Sequence, residues 1–297
     1  MNQVPHNKAV LVTGTSTGIG RHAALQLDKL GYQVFATVRK DQDAAAISSE
    51  SSDRLTPLIL DVTDSSSLDQ AQKIVSQAVG ETGLWGLVNN AAVAFVSPLE
   101  YAPLDDFRKL YAVNVFGLLA ITQKFLPLIR LARGRIVNIS STASSVVAPF
   151  HGPYSSSKLA LNGLTDSLRL ELKPLGVKVS LIIYGSVQTP IWDKGGDSST
   201  KIAKEFPPRA IELYGKNLRS LRDYFNRIGK TGLTIEQSFQ PVLHALAAKR
   251  PKIRYLVGWD ARYHYLLRIL FYGHLSDWIL MRTIGIKEQY DIPEASK

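Results

Sequence analysis

The chain has 297 residues, 45% of them apolar, and a formal net charge of +10; that length supports one sizeable core or at most two modest ones. It contains no cysteine, which excludes disulfides and thiolate metal sites, and its six histidines (6, 22, 151, 244, 264 and 274) follow no metal-binding spacing. The basic charge sits in residues 201–230, with eight Lys or Arg against three acids, and 249–287, with eight against two; with no nucleic-acid reading motif beside it, nucleotide phosphates or an anionic membrane surface explain it more economically than nucleic acid.

Met1–Asn7 is too short and polar for a signal peptide before the first predicted strand. The apolar run Ala9–Val12 then breaks at Gly14, Gly18 and Gly20, and helical spacing resumes from Arg21, which is the pattern of strand, tight turn and helix. Within it, Gly14, Thr15, Ser16, Thr17, Gly18, Ile19 and Gly20 are expected to cradle a pyrophosphate. The amides at the helix start supply the anion site, and the glycines let the main chain come close.

A second strand over residues 32–38 ends at Arg39 and Lys40. A carboxylate at this point would favour NAD, whereas an arginine accommodates the extra phosphate of NADP. NADP(H) is therefore favoured over NAD(H), and the later Asp41 and Asp43 are assigned to the start of the next helix. The alternative is that Arg39 and Lys40 are only solvated.

Further strand patterns fall at residues 84–89, 134–140 and 177–183, with no internal repeat, low-complexity tract or Pro-rich linker. This alternation predicts one Rossmann-type, doubly wound parallel α/β sheet in a single domain spanning 1–297.

Tyr154 and Lys158 stand four apart, and a helix over 154–173 puts them on one face, with Ser141 thirteen positions upstream. A free tyrosine has a pKa of about 10, and a neighbouring cation favours its phenolate, so the pair is suited to proton transfer. His151, close by in a loop, could touch a substrate, but a loop histidine more often reads as a surface group, and that reading is favoured.

Residues 186–233 form a long segment with Trp192, Phe206, Tyr214, Tyr224 and Phe225 among basic side chains, of a kind that could close over a ligand and exclude water. Val93, Phe95, Val146, Val147, Phe150, Tyr184 and Trp192 are expected to line an apolar substrate pocket, with lid-to-core packing or a dimer contact as the alternative for any one of them. The C-terminal extension, about 259–285, is apolar but carries Arg268, two histidines and Asp277, making it a poor membrane span. Two readings stand open: an amphipathic helix in a lipid interface, or a cover for the pocket or a subunit contact.

These motifs resemble the short-chain dehydrogenase/reductase family from Lys8 to about Gly285, closest in appearance to its retinol and hydroxysteroid dehydrogenase branch. The resemblance matches Thr13, Gly14, Gly18 and Gly20 to the family's cofactor turn and Asp61, followed by Val62, to its residue beside the adenine. Asn89, Asn90, Ala91 and Ala92 match its Asn-Asn-Ala-Gly motif, with Ala92 in place of glycine. Tyr184-Gly185 replaces the usual Pro-Gly after the sixth strand, followed by Val187, Thr189 and Pro190.

The resemblance implies a catalytic tetrad of Asn114, Ser141, Tyr154 and Lys158. Ser141 would bind the substrate oxygen and Tyr154 would exchange a proton with it. Lys158 would hold the nicotinamide ribose and, with the oxidised ring, lower the tyrosine's pKa, while Asn114 would hold a water linking Lys158 to solvent. It also implies a helical substrate lid over residues 186–233, and a homodimer or homotetramer built on the helices carrying Asn114 and Tyr154.

The expectation is an NADP(H)-dependent oxidoreductase interconverting a lipophilic alcohol with its ketone or aldehyde, of steroid, retinoid or long-chain type. It is expected in the cytoplasm with a membrane surface as a further partner, and without metal or nucleic acid. The alternatives are a small or acyl-chain carbonyl reductase and a non-catalytic nucleotide-sensing or membrane-bound scaffold.

Overall fold

The computed structural model describes residues 8–189, 204–270 and 273–286. Seven strands form one parallel sheet in the order β3-β2-β1-β4-β5-β6-β7: β1 Ala9–Val12, β2 Gln33–Val38, β3 Leu55–Ile59, β4 Gly86–Asn89, β5 Arg135–Ser141, β6 Lys178–Tyr184 and β7 Arg254–Val257. The sheet is parallel because each strand returns through a helix, and the order reverses between β1 and β4. The seventh strand, pairing Ile182 with Tyr255 and Ile183 with Leu256, lies in a stretch without an evident strand pattern.

Helices cover both faces, so the central strands are apolar throughout rather than alternating. Val10, Leu11 and Val12 of β1 are wholly buried, and each such side chain contributes about 1.5–3 kcal/mol relative to exposure. On one face, Ala23, Ala24 and Leu27 of α1 (Gly18–Lys29) meet Phe239, Val242 and Leu246 of α8 (Ile235–Ala247). On the other, Leu68 and Val75 of α3 (Ser65–Val79) pack with Ile121 and Phe125 of α5 (Leu118–Leu131) and Leu168 and Leu172 of α6 (Gly152–Leu172). The short α2, Asp41–Ser48, begins with Asp41 and Asp43 in its first turn, where the positive end of the helix dipole favours them.

Helix α4 (Leu104–Tyr111) runs into α5 through a π-helical stretch, Ala112–Gly117. The combined helix is long and apolar enough to cross a membrane by length and composition, but half of its most apolar window is buried against the sheet. The remaining helices are α7 Pro208–Thr231, α9 Trp259–Leu270 and α10 His274–Ile284. They lie beyond the C-terminal ends of the strands, and the crevice of an open parallel sheet opens at that edge.

Candidate active site

The glycine turn is fixed by strain that only glycine tolerates and by a clamp from the loop after β4. Gly14 and Gly18 adopt φ of +69° and +65°, and a Cβ on Gly14 would lie 2.8 Å from the Ala91 backbone. Thr13 Oγ1 accepts from the amides of Asn90 and Ala91 at 2.9 and 3.0 Å, and Asn90 Nδ2 donates to the carbonyls of Thr13 and Gly14. Gly20 belongs to this clamp, since a Cβ there would stand 2.3 Å from Asn90 Nδ2.

Gly14, Ser16, Thr17, Gly18 and Ile19 line a cavity of about 1430 Å³. Thr15 and Gly20, expected with them in the cradle, stand behind this wall rather than on it. Thr15 is wholly buried and donates to the Thr37 carbonyl at 3.0 Å, tying the turn to β2. Single-ligand pockets are typically about 300–1,000 Å³, so this space accommodates a large cofactor and a substrate together.

Exposed Arg39 and Lys40 and the pair Asp61 and Val62 line one end of the cavity. Burial pushes the Asp61 carboxyl up, but Thr63, donating to it from N–H and O–H at 2.9 and 2.7 Å, and the nearby Arg39 charge together hold it below the usual range. Asn90, Ala91, Ala92, Val187 and Thr189 continue the wall, with Thr189 packed 3.5 Å from where a Gly18 Cβ would be. The cradle, the open helix start and the acid-and-base end therefore fit a dinucleotide.

Ser141 ends β5, and the first turn of α6 delivers Tyr154 beside it, within hydrogen-bonding reach. Lys158, one turn on, sits 5.7 Å from the centre of the Tyr154 ring and donates to the Ile139 carbonyl at 3.0 Å. All three line the cavity. Burial pushes the Tyr154 phenol up to about 12, with Ser141 opposing, and pushes Lys158 down to about 8. The protein alone thus shifts Tyr154 opposite to the expected direction, because desolvation of the phenolate outweighs the Ser141 hydrogen bond.

Asn114 lies in the π-helical stretch, a distortion frequent at functional sites. Its amide is committed: Oδ1 accepts from Val93 N at 2.9 Å, and Nδ2 donates to Val93 O at 2.9 Å and to Ser157 Oγ at 3.0 Å. The side chain therefore ties the Val93 loop to α6.

The expected pocket residues divide. Val93, Phe95 and Val146 line the cavity. Two are corrected: Val147 is 49% exposed, and Phe150 packs edge-on against Tyr214 at 5.8 Å. Tyr184 reaches the cavity wall, but its hydroxyl donates to the Ser238 carbonyl on the core side. Trp192 lies outside the described residues.

The α7 lid is seated by aromatic packing: Tyr101 meets Phe206 and Tyr214 at 6.3 and 6.0 Å, and the Tyr214 hydroxyl donates to Glu100 at 2.6 Å. Phe206 and Ala210 pack with Phe95 and Tyr154, and Leu221 with Ile284 and Ile286. Of the two readings of the C-terminal extension, the pocket cover is the one the packing shows. Ile279, Leu280 and Ile284 line the cavity, while Trp259, Leu266, Leu275 and Trp278 are more than 45% exposed.

Two features escaped the sequence reading, and for a third the less favoured alternative is the one the geometry supports. The turn after β6 is held by Asp260, which accepts from Ser186 N at 2.6 Å and from Ala261 N at 2.9 Å. A Cβ on Gly185 would fall 1.9 Å from that carboxylate, so the glycine is required and the missing proline is replaced by an anchor from α9. His264 also lines the cavity, its Nδ1 buried and without a partner among the described residues. His151, read as a surface group, packs against Tyr154 and Phe225 on the cavity wall. Its nearness in sequence to Tyr154 was the available signal.

Comparison with known proteins agrees with this geometry. Residues 8–199 match the short chain dehydrogenase family model. The chain is 36% identical to 17-beta-hydroxysteroid dehydrogenase type 6 of Bos taurus, covering 93% of this chain and 89% of that protein. It is 38% identical to retinol dehydrogenase 5 of Mus musculus, covering 92% and 89%. Among solved structures, a short-chain dehydrogenase from Streptomyces avermitilis superposes with a TM-score of 0.75 at 25% identity, covering 96% of this chain and 98% of that one.

Proposed function

The chain belongs to the short-chain dehydrogenase family and is an oxidoreductase acting on hydroxyl groups; from that premise we propose that it interconverts a lipophilic alcohol and its ketone or aldehyde, of steroid or retinoid type, with NADP(H) favoured over NAD(H). The observation that carries the reading is the convergence of Ser141, Tyr154 and Lys158 on the wall of a cavity otherwise lined largely by apolar side chains.

A bound nicotinamide dinucleotide supplies or accepts the hydride. Ser141 holds the substrate oxygen by a hydrogen bond, fixing the reacting carbon in place. Tyr154 gives that oxygen a proton during reduction and takes it back during oxidation. With its phenol pushed up to about 12, Tyr154 rests protonated, ready to act as the acid. Lys158 supplies the positive charge that stabilises the phenolate once formed. Asn114 positions the assembly by joining the Val93 loop to the Tyr154 helix. The lid and the C-terminal helices exclude water, which strengthens these electrostatic effects.

Arg39 and Lys40, at the cavity end where the adenosine ribose would lie, support the NADP preference. The exposed aromatic side chains of α9 and α10 support membrane association. The apolar faces around Phe116 and Leu170, on the helices of Asn114 and Tyr154, support a homodimer or homotetramer built there. The 1–297 chain is taken as one domain with its lid at 186–233.

Nicotinamide absorbance, followed with a panel of lipophilic alcohols and ketones and both dinucleotides, tests the proposal. Turnover is expected in the wild type, and Tyr154→Phe should reduce it by about 10²–10⁴-fold while sparing dinucleotide binding. Dinucleotide binding without turnover across the panel would favour the sensor reading instead.

A further inference from the structure

Phe150 is one of two non-glycine residues among those described with a positive φ, at +65°; the other, Arg133, sits in a turn after α5 and does not line the cavity. Bulky side chains rarely adopt this conformation, and such residues persist where surrounding contacts over-determine them, often at functional sites. Here the contacts are visible. Ser97 N donates to the Phe150 carbonyl at 2.9 Å, and the Phe150 ring packs on Tyr214 of the lid. The consequence is local: the strained turn at Phe150 precedes His151, whose side chain faces the cavity.

The His151 imidazole lies 5.0 Å from the Tyr154 ring, tilted by 31°, and 5.2 Å from Phe225 of the lid. It is held between the proton-transfer tyrosine and the lid, yet neither ring nitrogen has a hydrogen-bond partner among the described residues. Nor are those nitrogens sealed off, as His264 Nδ1 is. A buried polar group usually finds a protein partner, so nitrogens left open on a cavity wall are available to a ligand. The groups packed against the imidazole are the rings of Tyr154 and Phe225, and apolar Val93, Phe95, Val146, Phe206 and Leu218 line the same cavity.

We propose that His151 is a specificity-determining residue whose neutral imidazole hydrogen-bonds a hydroxyl or oxo group carried by the substrate close to its reacting carbon. This rests on the alcohol–ketone reading above and narrows it to lipophilic substrates with a second oxygen near the first. The imidazole is suited to either group, because one nitrogen donates and the other accepts, and the tautomer follows the substrate. Enclosure pushes its pKa down to about 4, so it stays neutral through the range in which the enzyme would work.

The test compares a cyclic hydroxyketone with the matching plain ketone, using wild type and His151→Phe. Phenylalanine keeps the packing against Tyr154 and Phe225 while removing both hydrogen-bonding atoms. The hydroxyketone is expected to lose about tenfold in kcat/KM, mainly through KM, while the plain ketone changes less than threefold. Calorimetric binding of the two ketones should show the same difference without turnover. His151→Asn, which keeps a donor and an acceptor, should restore part of the preference.

Equal losses on both ketones would overturn the assignment, since they mark His151 as packing alone; so would no loss on either. Each of those results leaves the parent reading intact. Wild-type enzyme that turns over neither ketone, nor any of the broader panel, would overturn the parent reading and this assignment together.

Discussion

Lys158 donates to the Ile139 carbonyl at 3.0 Å while its ammonium stands 5.7 Å from the centre of the Tyr154 ring. The strand thus fixes the cation one helical turn from the phenol, at a distance where it favours the phenolate without bonding to it. Burial works against both charges, moving Tyr154 up to about 12 and Lys158 down to about 8.

The first prediction follows from the lysine's value. Lys158 is charged below about pH 8 and neutral above it, so carbonyl reduction should fall as pH rises through that value. Between pH 8 and 10.5 the unfolded chain binds more protons at this lysine than the folded one, so its effect on stability improves over that window. A loss of rate from about pH 8 upward with no accompanying fall in melting temperature is the expected signature. Lys158→Met should cost at least about 100-fold in kcat/KM and abolish that step in the pH profile.

The second concerns the dinucleotide. Arg39 stands exposed at the cavity end near Asp61, where its charge acts on that carboxylate. Arg39→Asp is expected to move the ratio of kcat/KM for NADP(H) over NAD(H) toward NAD(H) by roughly tenfold or more. An unchanged ratio in steady-state assays would mean that Arg39 is only solvated.

Gly185 and Asp260 give a third, structural prediction. A methyl on Gly185 would meet the Asp260 carboxylate at 1.9 Å, and the carboxylate cannot retreat without releasing the amides of Ser186 and Ala261. Gly185→Ala should destabilise the fold by roughly 2 kcal/mol or more. Asp260→Ala should cost about 1–3 kcal/mol by leaving those amides unpaired. Combined in one chain, the two should cost less than their sum, a coupling measurable by urea denaturation.

Leu275 and Trp278 of α10 lie on the outer side, 49% and 57% exposed, with Arg282 stacked over the Trp278 ring at 5.3 Å. An apolar edge beside a cation suits an anionic lipid surface. Replacing both with serine is expected to reduce co-sedimentation with anionic vesicles several-fold, leaving turnover of a water-soluble substrate unchanged. Undiminished co-sedimentation would assign the lipid contact elsewhere or remove it.

Much of the site was legible because its residues are bound to local backbone form. Gly14 and Gly18 need positive φ, so the turn announces itself. Tyr154 and Lys158 need a single helical turn, which their spacing of four provides. Val147 and Phe150 misled because apolar composition beside a catalytic motif does not reveal which way a loop faces. His151 misled for the opposite reason: a polar loop residue reads as solvated, yet a strained turn put it on the cavity wall.

The sequence by itself determined the parallel α/β sheet, the glycine cradle and the tyrosine–lysine pair, because each depends on residues near one another along the chain and on backbone preferences that short range decides. Tertiary structure alone decided what depends on distant segments meeting. It brought Asp260 against Gly185 and Ser186, committed Asn114 to Val93 and Ser157, and closed His151 between Tyr154 and the lid. It also raised the Tyr154 pKa, since desolvation depends on everything packed around the phenol rather than on its neighbours in the chain.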